Sequence, residues 1–205
     1  MTEAIDETTK GGKPMLLYHT GFDVIQTPDL TVGRKNADFG QGFYLSADAD
    51  FSRRWATERK GRQTVINRYA LSLEGLAVTR FEKSEDWFRC ILNNRAGLPD
   101  AFAAQDVVIG PIANDTLFQT WGILTSGVLT DAQALRLLQI EPSYTQVVIK
   151  TEKAAAQLQW LGAEILTHDD LSANAELLEK EQDAFQRTFA ALFEELVDAE
   201  ENSDD

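Results

Sequence analysis

The sequence predicts an α+β domain, and three observations carry that reading. Apolar runs rich in β-branched and aromatic residues recur at 15–19, 64–73 and 144–149. Helical patterns that begin at capping residues lie between them. The two kinds of element do not alternate in the strand–helix–strand rhythm of a parallel sheet. At 205 residues, 43% of them hydrophobic, the chain is long enough to fill the core of one domain. The expected division is a disordered N-terminus at 1–13, a folded domain at 14–168, an amphipathic helix at 169–200 and an acidic tail at 201–205.

Taken in order, Met15–His19 reads as a buried strand closed by Thr20-Gly21. Residues 22–37 are a loop punctuated by Pro28, Gly33 and Asn36, and Asp38–Ser46 (DFGQGFYLS) is a glycine-bearing turn running into a short strand. Asp48 caps a helix expected to reach about Lys60, with Phe51 and Trp55 on one face and Gly61 as its stop. Thr64–Leu73 is a strand, and Ser84 caps a helix through Asn94. Asp106–Ile109 is a short strand broken by Gly110-Pro111, after which Asn114 or Asp115 caps a further helix. Asp131–Ile140 is a helix with Leu135 and Leu138 inward. Tyr144–Ile149 is a strand, Glu152–Trp160 a helix and Ala163–Leu166 a last short strand. From Asp170 onward the pattern is one long helix, with Phe185, Phe189, Leu192, Phe193 and Leu196 as its apolar stripe. If that stripe packs on the domain it is core; if exposed, it implies a partner or a second copy of the chain.

Composition excludes several classes of function. The formal charge is −14, and most of the acid excess sits in residues 164–205, where Lys180 and Arg187 are the only bases. That field disfavours a nucleic-acid or anionic-lipid partner. The single cysteine, Cys90, gives no disulfide framework and reads as a buried helix thiol. The first residues have no apolar signal core and no run is long enough for a membrane span, so the cytoplasm is the expected location. His19, His168 and Cys90 have no metal-site spacing, so no metal is expected. No phosphate loop and no G-x-S-x-G elbow is present, and Asp38-Phe39-Gly40 lacks every other kinase signature. His168 beside Asp169-Asp170 reads as a helix cap, and Trp55 and Trp87 as core.

What remains is a constellation near the N-terminus. Tyr18-His19-Thr20-Gly21 puts an imidazole at a strand end beside a glycine, and Gly40-Gln41-Gly42-Phe43-Tyr44-Leu45-Ser46 delivers two aromatics after two glycines. Arg34 lies between them in the polar loop. Singly, each has a structural explanation: a polar strand end, a bulge, an aromatic that must face inward. In this order, LYHTG followed by DFGQGFYLS resembles the His and Tyr motifs of the ADP-ribosyltransferase-like superfamily, in its diphtheria-toxin and poly-ADP-ribose-polymerase branch. With VIGPIAND and YTQVVIKTEKAAAQL, the run from 15 to 166 resembles an uncharacterised bacterial domain family grouped with it.

That resemblance implies a split, mixed or antiparallel β-core with surrounding helices, and NAD as substrate. His19 would bond the nicotinamide-side ribose, Gly21 or Thr20 would offer backbone groups to the carboxamide, and Tyr44 would stack on the cationic nicotinamide ring. Arg34 is the candidate for the pyrophosphate, and Phe43 and Ser46 complete the expected binding set. Where the superfamily usually carries a glutamate, this chain has Gln146. An amide can bond the ribose hydroxyl but adds no negative charge beside a developing cation, a difference of a few kcal/mol, or about a hundredfold in rate. The implied function is transfer of ADP-ribose to a macromolecule, as in bacterial toxins and effectors, with a protein target or cognate antitoxin as partner. The alternatives are a catalytically weakened NAD- or nucleotide-binding module and an interaction or self-association module built on the C-terminal helix.

Overall fold

The computed structural model describes residues 13–113, residues 133, 136 and 137, and residues 144–201. The expected caps at Asn114 or Asp115, the inward positions Leu135 and Leu138, nearly all of the N-terminal 1–13 and the end of the tail lie outside these residues. The architecture is α+β. Seven strands form one mixed sheet: β1 (Met15–Gly21), β2 (Phe43–Ser46), β3 (Val65–Leu71), β4 (Val78–Arg80), β5 (Val107–Pro111), β6 (Thr145–Ile149) and β7 (Leu158–Ile165). Their order across the sheet is β4-β5-β6-β2-β1-β3-β7, antiparallel throughout except for β4 beside β5.

Alternation along the strands divides the apolar residues between two faces. Leu17, Leu45, Tyr69, Val147 and Ile149 build one core. Val148 and Val108 turn the other way, onto Phe39 and onto Trp87, Phe88 and Ile91 of helix α2 (Glu85–Arg95). Ser84 caps α2 as its sequence predicts, accepting from the Trp87 N–H. Cys90 is buried in this second core, and burial pushes its thiol up to about 11, which makes it inert as a nucleophile at neutral pH.

Several boundaries differ from the sequence reading. Helix α1 runs only Ala49–Arg54, capped by Asp48 as expected. The Ala56 N–H bonds the Arg53 carbonyl and tightens the last turn, and Gly61 serves a hairpin in which Arg59 pairs with Arg62, not a helix end. Gly110 and Pro111 continue β5 instead of breaking it, opposite Gln146 and Thr145. The Ile112 N–H points to β6, so the nitrogen of Pro111 faces the opposite side, where β4 has already ended opposite Ile109. Gly110 is required there because a Cβ would stand 2.7 Å from the Phe39 ring.

The helix expected at 152–160 stops after one turn, α3 (Glu152–Ala155), and residues 158–160 instead open β7. Leu158 and Trp160 pair with Leu71 and Tyr69, so the hydrogen bonds offered by the edge of β3 override local helix propensity. β4 was not visible in the sequence: three residues hold it, and the Asp106 carboxylate fastens its approach by accepting from Ala77 N–H, Thr151 Oγ1 and Lys153 Nζ. Those bonds pull the Asp106 carboxyl down to about 2.

Helix α4 (His168–Glu201) starts at a reciprocal box, Asp170 accepting from the Thr167 N–H and Thr167 Oγ1 accepting from the Asp170 N–H. Thr167 is therefore the cap, and His168 is an exposed first-turn residue with Nδ1 3.4 Å from Glu58. Leu171 packs with Ala56, Ile66 and Leu166. At the far end, Leu196 meets Leu137, with Phe189, Leu192 and Phe193 packed around the pair. Four residues of the stripe, Phe189, Leu192, Phe193 and Leu196, thus pack with Leu137 of their own chain. Among the described residues no helix is long and apolar enough to cross a membrane.

Candidate functional site

β1 and β2 meet opposite one another at Tyr18 and Ser46, and beyond that point a side chain takes over from the ladder. The Nδ1 of His19 bonds the Tyr44 carbonyl at 2.8 Å. A carbonyl can only accept, so Nδ1 carries the proton and Nε2 keeps its lone pair. Burial pulls the imidazole pKa below its ordinary value, against the opposing pull of the Tyr44 bond, which keeps the ring neutral at pH 7. The ring also lies 4.5 Å from that of Phe43, centroid to centroid. His19 is therefore a rigid acceptor.

A cavity of about 730 Å³ opens beside this junction, a volume suited to a small molecule or cofactor. His19, Phe43, Tyr44 and Gln146 all line it, brought together by β1, β2 and β6. The Tyr44 hydroxyl donates to the Gly40 carbonyl (2.6 Å) and accepts from the Phe39 N–H (2.9 Å). Burial raises its pKa, so the phenol stays protonated and its ring contributes surface, not base chemistry.

The loop at 22–37 makes the outer wall and is pinned at several places. Asn67, fully buried, donates to the Asp23 carbonyl and accepts from the Ile25 N–H, each at 2.9 Å, and the Tyr69 hydroxyl donates to the Ile25 carbonyl at 2.6 Å. Gln41 reaches across to the Thr31 and Gly33 carbonyls. Gly33 lies so close to the Gly42 carbonyl that any Cβ would overlap it. This contact carries the next residue, Arg34, to the cavity, where it has no ion-pair partner among the described residues.

Gln146 is buried, and its Nε2 donates to Asp38 Oδ2 (3.0 Å) and to the Pro111 carbonyl (3.1 Å). Asp38 is itself bound by Arg95, through Nε at 2.7 Å and Nη2 at 2.6 Å, and both residues line the cavity.

The other expected site residues sit elsewhere. Thr20 Oγ1 donates to the Ser52 carbonyl and ties β1 to α1. Ser46 Oγ organises the turn into α1, accepting from the Asp48 N–H at 3.0 Å. Gly21 stands outside the cavity lining but beside the imidazole: a Cβ there would be 3.2 Å from His19 Nε2.

Sequence reading missed Asp38, Arg95 and the aromatic side of the cavity. Trp55, expected in the core, is 36% exposed and lines the cavity with Phe51. The Phe51 ring in turn lies 4.5 Å from that of Tyr144. Trp55 carried a signal, since it shares a helical face with Phe51 beyond the DFGQGFYLS motif. Asp38 and Arg95 are 57 positions apart with no shared pattern, and only the fold pairs them.

Residues 15–160 match the protein family described as "protein of unknown function (DUF3990)", and the chain belongs to that family. No curated protein and no solved structure matches it.

Proposed function

We propose that this cavity binds NAD and cleaves its nicotinamide–ribose bond, passing ADP-ribose to a macromolecular acceptor. The observation that carries the reading is the convergence of His19, Tyr44 and Gln146, from three strands, on one cavity. His19 Nε2 and Gln146 Oε1 are both acceptors without a partner among the described residues, and two adjacent ribose hydroxyls are donors that match them. The rings of Tyr44 and Trp55 supply apolar surface for a flat cationic heterocycle. Arg34 supplies a guanidinium for phosphate oxygens.

In this reading the C1′–N bond breaks heterolytically, and its electron pair leaves with neutral nicotinamide. The positive charge left on the ribose is met by the partial negative charge of the Gln146 carbonyl until a nucleophile attacks C1′ and releases its proton. The net charge of −14 favours a protein acceptor, a target or an antitoxin, over a nucleic acid.

Nicotinamide release from NAD tests this. Wild type is expected to turn over, with Gln146→Ala and Tyr44→Ala reduced about a hundredfold. Release unaffected by either variant contradicts the site. One observation favours a second reading, an NAD-binding module with little turnover: Asp38, the carboxylate that meets Gln146, is neutralised by Arg95. That reading predicts saturable NAD binding with no nicotinamide released.

A further inference from the structure

The hydrogen bond between Gln146 and Asp38 has only one sustainable direction. Gln146 Nε2 faces Asp38 Oδ2 and the Pro111 carbonyl, a carboxylate oxygen and a carbonyl oxygen that both accept. Arg95 grips Asp38 Oδ1 from the other side, and the Ala113 N–H adds a weaker bond to Oδ2 at 3.3 Å. Turning the amide over would press Oε1 against both of those oxygens. The Asp38 and Arg95 side chains are only 11% and 9% exposed, so little water reaches such a contact.

We infer that Asp38 is a positioning residue: its carboxylate, held in place by Arg95, locks the Gln146 amide so that the acceptor oxygen Oε1 serves the cavity. The pair works as a unit. One member holds the charge against the wall, and the other presents a neutral acceptor to a ligand hydroxyl. The cavity therefore selects ligands that donate at this point, and a carboxylate at 146 is unsuited to it while Asp38 is present. This inference rests on the NAD reading for its kinetic readout alone.

Four proteins test it: wild type, Gln146→Glu, Asp38→Asn and the double variant. The first readout, thermal stability against pH, needs no ligand. In Gln146→Glu two carboxyls stand about 3 Å apart and cannot both ionise, so the folded protein retains a proton that the unfolded chain releases. Its melting temperature is expected to fall as pH rises from about 5 to 8. In the double variant one carboxylate again meets one amide, and the pH slope is expected to return to that of wild type.

The second readout is nicotinamide release. Asp38→Asn is expected to lower kcat about tenfold or more with KM changed less than about threefold, because the lost element is orientation in the reacting complex. The double variant is expected to recover at least to the wild-type rate. If the variants carrying Asp38→Asn do not fold, the comparison of Gln146→Glu with wild type still decides: a pH slope equal to that of wild type overturns the inference. Effects of the two substitutions that merely add, in pH slope and in rate, overturn the inference. A wild type that neither binds NAD nor releases nicotinamide overturns the NAD reading instead, and the ligand-free pH slopes then judge the Asp38–Gln146 pairing independently.

Discussion

Charge is used in opposite ways at the cavity wall and at the dock where α1 meets the end of β7 and α4. At the wall, Arg95 and Asp38 are almost removed from water, and every bond that Asp38 makes fixes the position of something else: Gln146, the Ala113 backbone, the end of α2. At the dock, Arg53 meets Glu164 at 2.6 Å with both side chains about 40% exposed, and Arg54 meets Glu181 in a similar setting. There the holding contact is apolar, Leu171 against Ala56, Ile66 and Leu166. The difference teaches where polarity has consequences. A buried pair is costly to disturb and so can orient a neighbour, whereas an exposed pair is screened and interchangeable.

The largest effect expected from this contrast is at the wall. Arg95→Ala leaves a carboxylate uncompensated in the interior and should destabilise the protein by about 3–5 kcal/mol, read by urea denaturation. A loss below about 1 kcal/mol would make the two regions alike. Next comes the apolar part of the dock: Leu171→Ala should cost about 2–4 kcal/mol by the same measurement, through lost burial and a cavity left behind.

His19 gives a smaller, pH-dependent effect. Its pKa is lowered in the folded state, so on acidification the unfolded chain takes up a proton that the folded one resists. Stability should therefore fall as pH drops below the ordinary imidazole value near 6.5, and His19→Gln should flatten that fall. Thermal melts between about pH 5 and 8 read the slope; an unchanged slope in the variant would remove His19 as its source. The smallest effect belongs to the exposed pair. Arg53→Ala should change stability by less than about 1 kcal/mol, and less still in high salt.

The same contrast explains what could be read from the sequence. Local signals were legible: Asp48 and Ser84 as caps, a strand at 15–19 that in the structure runs on to Gly21, the apolar stripe of α4. Residues whose place depends on a neighbouring strand were not. Leu158–Trp160 has a helical pattern and becomes sheet because β3 offers it an edge, and Gly110-Pro111 stays in a strand because β6 continues beside it. Motif order pointed to His19, Tyr44 and Gln146, which the fold brings to one cavity. Asp38 stood inside that motif and was passed over, since its meaning lies in Arg95, which is distant in the chain and adjacent only once α2 packs on the sheet.

The central claim is that the cavity joining His19 to Gln146 is a dinucleotide site. Calorimetric titration of NAD into wild type and into His19→Ala, at pH 7.5 where the imidazole is neutral, tests it most directly. Saturable one-to-one binding, weakened about tenfold or more in the variant, is the predicted result. Binding of equal strength in both proteins, or none in wild type, would contradict it.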